Sequence, residues 1–118
     1  MQVINEYISI IERRKSSRHD LEFPVGLEFG SKEFVQSQSL DISATGLGLI
    51  LEDEVGENRE VQLTLCLDRD NVVEISGTTV RQRGLSTQQT LVGIDFSAKD
   101  QESLDKIASW LWKRGLAA

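Results

Sequence analysis

The sequence predicts an all-β domain with flanking helices, in which six short strands form an antiparallel barrel or sandwich. Apolar and polar residues alternate with period two in successive segments between residues 21 and 97, which is the pattern of half-buried strands. Tight turns join these segments and no helical pattern lies between them, so the strands are expected to pair antiparallel rather than through crossover helices. A helical period is found only at the two ends of the chain.

Composition limits the classes of function. The 118 residues are enough for one domain with its own core, and the formal net charge of -6 disfavours general binding to nucleic acid polymers or to anionic membranes. No apolar stretch is long enough to insert into or span a bilayer, and no signal peptide is evident. Cys66 is the only cysteine, which fits a reducing compartment, and we therefore expect a cytoplasmic protein.

The first twelve residues predict a short helical extension, separate from a domain covering residues 13–118. One apolar stripe recurs at helical spacing, formed by Val3, Ile4, Tyr7, Ile8 and Ile11. A helix this short is marginal alone in water, so the stripe needs a partner. That partner is either the body of the domain, a second copy of the chain in a homo-oligomer, or another protein.

Six strands are expected, bounded by turn residues. Pro24 indicates that part of the first strand is an edge or carries a bulge, and Gly77 indicates a bulge or bend in the fifth. The predicted ranges are 21–30, 33–42, 46–51, 61–67, 72–83 and 90–97.

The last helix is predicted to run from about residue 101 to 114. Asp100 precedes it as a candidate N-cap, and Gly115 follows it as a candidate stop. The apolar face is expected to consist of Leu104, Ile107, Ala108 and Leu111.

A basic cluster stands out against the acidic background. The stretch from Arg13 to Arg18 holds four of the 13 Lys and Arg residues, which leaves 13 - 4 = 9 for the rest of the chain against 19 acidic residues. Concentrated positive charge is explained by an anion bound at this place. The alternatives are a solvated basic linker and a region that favours a nucleic-acid backbone.

A second motif, Asp41-Ile42-Ser43-Ala44-Thr45-Gly46, lies where the second strand ends. With period two, Leu40 and Ile42 should share the core face, which would leave Asp41 and Ser43 side by side on the outer surface. Gly46 would allow a positive φ or a close approach of a ligand to the backbone. The alternative is an ordinary hairpin with polar turn residues.

Together the two motifs resemble the signature of the PilZ domain family, receptor domains for the bacterial second messenger cyclic di-GMP. The first part of the likeness is the Arg-x-x-x-Arg pair at Arg14 and Arg18, and the second is Asp-x-Ser-x-x-Gly from Asp41 to Gly46. Weaker similarities are Gly77 with Val80-Arg81, and Val92 to Phe96. The resemblance implies a six-stranded antiparallel β-barrel of the split-barrel type with a C-terminal helix.

The resemblance implies that the chain binds cyclic di-GMP and is not an enzyme. Arginine can grip phosphate or the O6/N7 edge of guanine and can stack on the base, whereas a carboxylate accepts from guanine N1-H and N2-H. The implied binding residues are Arg13, Arg14, Arg18, Asp41, Ser43 and Gly46, with Lys15, His19 and Arg81 as secondary candidates. No metal and no cofactor is predicted.

The arginines lie on a predicted connector, residues 13–20, whereas the acceptors lie on the barrel. A ligand would therefore order the connector onto the barrel and signal to a downstream protein partner. In the family, an arginine placed as Arg13 often accompanies binding of two stacked ligand molecules, so two molecules per chain are expected.

Two other classes of function compete with a receptor. One is a degenerate barrel that serves only as a protein-interaction or scaffold module. The other is an enzyme, which the sequence supports poorly because His19 is the only histidine and has no nucleophile or metal-ligand cluster around it.

Overall fold

A computed structural model describes residues 17–30, 33–52 and 54–117, which form one closed six-stranded antiparallel barrel and one helix. The strands follow the order β1-β2-β3-β6-β5-β4 around the barrel, and β4 pairs with β1 to close it. The elements are β1 (Pro24–Phe29), β2 (Glu33–Ile42), β3 (Gly46–Leu51), β4 (Glu60–Asp68), β5 (Asn71–Ser86), β6 (Gln89–Phe96) and α1 (Gln101–Lys113). The predicted fold class is confirmed, and the predicted N-terminal helix lies outside the described residues.

The side chains of alternate strand residues point inward and fill the barrel. Leu27, Leu63 and Leu65 are fully buried, and their neighbours on the strands face outward. The predicted ranges of β2 and β3 are confirmed, whereas β1 begins three residues later than predicted, at Pro24. The ladder between β1 and β4 begins only at Val25, so the missing N–H of Pro24 is tolerated at the first residue of the strand.

The predicted bulge at Gly77 is wrong. Gly77 pairs regularly with Val61 and with Phe96, and the register shifts of β5 lie further along the strand, between Thr79 and Arg81 and again near its end. A Cβ on Gly77 would lie 2.8 Å from the carbonyl oxygen of Asp95. Glycine is therefore required there by close packing against β6. It takes the place of an apolar side chain at an inward position, and the alternation of burial continues through it.

Helix α1 covers one opening of the barrel. Ile107, Trp110 and Leu111 are its buried residues, so the predicted apolar face omitted Trp110, which packs edge-on against Phe23 with ring centroids 6.4 Å apart. The carboxylate of Asp100 makes no cap within the helix and instead accepts the main-chain N–H of Ser76 at 2.7 Å.

Gly115 ends α1 as predicted. Its φ is +77°, its N–H donates to the carbonyl of Trp112 and the N–H of Leu116 donates to that of Leu111, each at 2.9 Å. This pair of bonds is a Schellman motif, which requires the left-handed conformation that glycine adopts easily.

Candidate functional site

An open groove crosses the outer surface of the barrel where β2, β3, β6 and β5 lie side by side. Its volume is about 420 Å³. The described residues that line it carry three guanidinium groups and one carboxylate, and they are Arg18, Asp41, Leu47, Gly48, Arg81, Gln82, Arg83, Leu91, Val92 and Gly93. The groove therefore has an excess of positive charge, although the chain as a whole is acidic.

The strand register places a row of four residues across the groove. Asp41 pairs with Gly48, Gly48 pairs with Gly93, and Gly93 pairs with Arg81. Two glycines thus form a flat floor between a carboxylate and a guanidinium. At the usual spacing of neighbouring strands, the Cα atoms at the two ends of the row are about 14 Å apart.

Gly48 makes room for the carboxylate of Asp41. A Cβ on Gly48 would lie 3.0 Å from Oδ1 of Asp41, a distance at which the carboxylate would have to move. A Cβ on Gly93 would make only ordinary contacts, at 3.7 Å from Cβ of Arg81. The lack of a side chain at Gly48 therefore leaves room for the carboxylate of Asp41, whereas a Cβ at Gly93 would fit without displacing a neighbour.

Arg18 is joined to Asp41. Its Nη1 donates to Oδ1 at 2.8 Å, and the two side chains are 40% and 30% exposed. An exposed pair of this kind contributes little to stability because solvent screens it and two long side chains lose freedom. The structure thus brings together one residue from each predicted motif.

His19 holds the chain immediately after Arg18. Its main chain exchanges two hydrogen bonds with Ile42, at 2.9 and 3.0 Å. Its ring Nε2 lies 2.6 Å from the carbonyl oxygen of Ala117, and since a carbonyl only accepts, Nε2 carries the proton. His19 therefore lies beside the groove as an anchor of the connector, and it does not line the groove.

The expected placement of Ser43 beside Asp41 is wrong. The register of β2 shifts between Ser39 and Asp41, which inserts Leu40 as an extra residue and reverses the alternation. Leu40 is consequently exposed and does not share the core face with Ile42, whereas Ser43 is only 2% exposed.

The hydroxyl of Ser43 stabilises the turn between β2 and β3. It accepts from the N–H of Thr45 at 3.2 Å, while the main-chain N–H of Ser43 donates to the carbonyl of Gly46 at 2.8 Å. Ser43 is therefore a buried turn residue next to the site and does not line the groove.

Of the two roles expected for Gly46, a positive φ is not found; the glycines with a positive φ are Gly30, Gly56 and Gly115. A Cβ on Gly46 would collide with the carbonyl oxygen of Ile94. The close approach is therefore that of strand β6, and Gly46 holds β3 against β6 at the end of the motif.

The remaining predicted residues divide into two groups. Arg81 lines the groove opposite Asp41. Arg13, Arg14 and Lys15 lie outside the described residues.

Sequence reasoning missed seven of the ten groove residues, and three of these determine its floor and charge, namely Gly48, Gly93 and Arg83. Glycine at an outward position of an otherwise apolar strand was the available signal for the first two, since it marks close approach or open surface. Arg83 gave no signal, because its place in the groove depends on the register shift in β5.

A larger depression, of about 720 Å³, lies between the β4–β5 turn and α1, but its central groups satisfy each other. Asp68 accepts from Trp110 Nε1, Asn71 Nδ2 and Arg114 Nη2, each at 2.8 Å. These donors, the Trp110 indole first, hold the pKa of Asp68 well below its usual range. The cluster fastens the helix to the barrel.

Among residues 17–30, 33–52 and 54–117, no three His, Cys, Asp or Glu side chains come together as a metal site would require. The described helix is neither long nor apolar enough to cross a membrane.

The fold matches solved structures. A complex of MrkH from K. pneumonia with c-di-GMP superposes with a TM-score of 0.71 at 16% identity, over 85% of this chain and 51% of that one. The PilZ domain of YcgR from Escherichia coli with c-di-GMP superposes with a TM-score of 0.65 at 15% identity, over 87% of this chain and 94% of that one. The Bacillus subtilis inhibitor of motility MotI/DgrA superposes with a TM-score of 0.63 at 21% identity, over 79% of this chain and 48% of that one.

This chain spans about half the length of MotI/DgrA and of MrkH. No curated protein sequence is similar enough to match it. The PilZ domain model matches residues 12–112, which is most of the sequence. The chain belongs to the PilZ domain family.

Proposed function

We propose that this domain is a receptor that binds cyclic di-GMP in the groove across β2, β3, β6 and β5. The observation that carries the proposal is the row from Asp41 over Gly48 and Gly93 to Arg81, with Arg18 closing one end. A flat floor between a carboxylate and guanidinium groups suits a ligand made of planar guanines and phosphodiesters. The solved complexes of MrkH and YcgR with c-di-GMP, which share this fold, support the choice of ligand.

Three of the four charged groups of the groove each match a part of the ligand. The carboxylate of Asp41 can accept from guanine N1–H and N2–H, and its Oδ2 receives no hydrogen bond from the described residues. Arg18 can turn from Asp41 to a phosphate or to the O6/N7 edge of a base. Arg81 stands at the far end of the floor and can bind a second phosphate or stack on a base.

We propose that ligand binding also orders the basic connector. His19 is fixed to Ile42 and Ala117, so a connector that carries Arg13, Arg14 and Lys15 to the ligand would start from an anchored point. Their guanidinium and ammonium groups would neutralise the phosphates, and the ordered connector would present a new surface to a downstream protein. Binding of this kind involves no chemical conversion of the ligand.

Calorimetric titration with cyclic di-GMP tests the proposal. Arg18→Ala and Asp41→Ala should each weaken binding about ten- to a hundredfold, because each removes a charged hydrogen-bonding partner. Arg59→Ala is the matched control, since Arg59 has the same 40% exposure and also pairs with a carboxylate, that of Glu33 at 3.0 Å, away from the groove. Equal affinity in all three folded variants would show that the ligand binds elsewhere than at Arg18 and Asp41. No binding to the unmodified protein would leave an interaction module without nucleotide binding.

A further inference from the structure

Strands β2 and β3 separate along part of their length and leave a cleft of about 500 Å³. Their ladder covers only Ser39 to Ile42 of β2 and Leu47 to Leu49 of β3. At one end of the cleft, the hydroxyl of Ser37 donates to the carbonyl oxygen of Ile50 at 2.6 Å, so the two strands lie close together there. From there back to Glu33, β2 is paired only with β1 in the described part of the chain.

The unpaired edge of β2 can be assigned residue by residue. The N–H of Ser39 donates to the carbonyl of Phe23, so Ser37 and Val35, two and four residues earlier, also turn their main-chain groups toward β1. The N–H and C=O groups of Phe34 and Gln36 therefore point the other way, into the cleft. An edge of this kind is a template for an additional strand.

The walls of the cleft are apolar and acidic. Phe34 is 60% exposed and lies over Gly26, and Val55 is half-buried on the opposite wall. Glu33, Glu52 and Glu54 line the cleft, and no Lys or Arg is among the described lining residues. Such a surface favours an occupant that is extended, apolar on one face and basic on the other.

The wall opposite β2 is held in place. The main-chain N–H groups of Val55 and Gly56 both donate to Oε1 of Gln82, each at 3.2 Å. Arg59, a few residues further along, donates to Oε1 of Glu33 at 3.0 Å and so ties this loop to the start of β2. The cleft is thus bounded on both sides by segments that hydrogen bonds fix to the barrel.

We propose that this cleft binds an extended segment of a partner protein, with Lys or Arg at alternate positions, by addition of a strand to the Phe34–Gln36 edge of β2. Ladder hydrogen bonds would supply affinity, and the carboxylates of Glu52 and Glu54 would select a basic sequence. A second copy of this chain fits less well, because a net charge of -6 on each copy and glutamates on both edges oppose self-pairing. The proposal does not depend on nucleotide binding.

A synthetic nine-residue peptide of alternating lysine and valine, blocked at both ends, provides the probe. Titration followed by NMR should shift the amide resonances of Phe34 and Gln36 and slow their exchange with solvent. A glutamate–valine peptide of the same length should not bind, and neither should a lysine–valine peptide N-methylated on alternate residues. Shifts confined to the groove residues Arg81 and Gly93, or no shift at millimolar peptide, would overturn the proposal.

Variants test separately what the main-chain edge of β2 and what the carboxylates contribute to peptide binding. Gln36→Pro removes an N–H that points into the cleft and not toward β1, so the barrel should persist while peptide binding is lost. Glu52→Gln and Glu54→Gln should each weaken binding about two- to fivefold, with Glu28→Gln as the control of equal charge change outside the cleft. Unchanged peptide affinity in Gln36→Pro would contradict strand addition. A concentration-dependent dimer of the unmodified protein that the peptide dissociates would assign the cleft to a second copy instead.

Discussion

Nη1 of Arg18 and Oδ1 of Asp41 lie 2.8 Å apart, so the two signature motifs are in direct contact. A ligand that needs both groups must open or share this pair. Because the pair is exposed, its own contribution to folding is small, on the order of 0.2–1 kcal/mol. The pair therefore matters for holding the two side chains beside the groove, and little for the stability of the fold.

This distinction gives the first prediction. Arg18→Ala should lower the free energy of unfolding by no more than about 1 kcal/mol, although it weakens cyclic di-GMP binding much more. Urea unfolding of Arg18→Ala, Asp41→Ala and the double variant measures the coupling between the two side chains. A loss of several kcal/mol in the single variants would mean that the pair is structural.

The second prediction concerns the glycine floor. Gly93→Leu should place a side chain on the outer face of β6 and weaken cyclic di-GMP binding about tenfold or more, since stacking of one base contributes about 1–3 kcal/mol. The fold should tolerate it, because the added Cβ meets only ordinary contacts at 3.7 Å. Gly84→Leu, on β5 in open space and outside the groove, is the control. Full affinity in a folded Gly93→Leu protein would show that the glycine floor is not part of the binding site.

Stoichiometry is the third prediction. We expect two cyclic di-GMP molecules per chain, because a stacked pair brings four phosphodiesters together and Arg13 adds positive charge to that of Arg14, Lys15 and Arg18. Binding should weaken as salt rises. In calorimetry, Arg13→Ala should reduce the second binding event more than the first. Saturation of the unmodified protein at one ligand per chain, well above its dissociation constant, would contradict this expectation.

The fourth prediction is a dependence of stability on pH at the helix. The pKa of Asp68 is lowered from its usual 3.8, so its ionised form stabilises the fold above that value and this stabilisation is lost as the pH falls below it. Asp68→Asn should therefore be less stable than the unmodified protein at pH 7, with a difference that narrows below about pH 4.

The control for this prediction is Asp70→Asn, because the carboxylate of Asp70 receives no hydrogen bond from the described residues. Thermal unfolding across pH 2–7 measures both variants. A constant difference between Asp68→Asn and the unmodified protein over that range would show that the ionised state of Asp68 does not matter.

Much of the fold follows from alternation alone. Leu27, Leu63 and Leu65 could be placed in the core because each lies in an uninterrupted period-two run. Alternation failed at Leu40, where the register shift next to Asp41 reverses the faces of the strand. A single bulge leaves no clear mark in composition, so the burial of Ser43 could not be predicted.

The residue types of the candidate site could be predicted from the sequence, but their arrangement across the strands could not. Arg18 and Asp41 were found because their residue types and spacing match a family signature. The row through Gly48, Gly93 and Arg81 depends on pairing between strands that are distant in sequence, and so does the bond between Asp68 and Trp110. Local patterns carry no information about such pairings until the topology is known.

The contact between His19 and Ala117 brings the entry and the exit of the barrel to one place. A unit whose two connections leave side by side can be inserted into a loop of another protein, or joined to neighbouring domains at either end, without rearranging its strands. Because this same point lies next to Arg18 and Ile42, any pull on either connection is applied beside the groove. The two ends of the barrel and the candidate groove are thus adjacent.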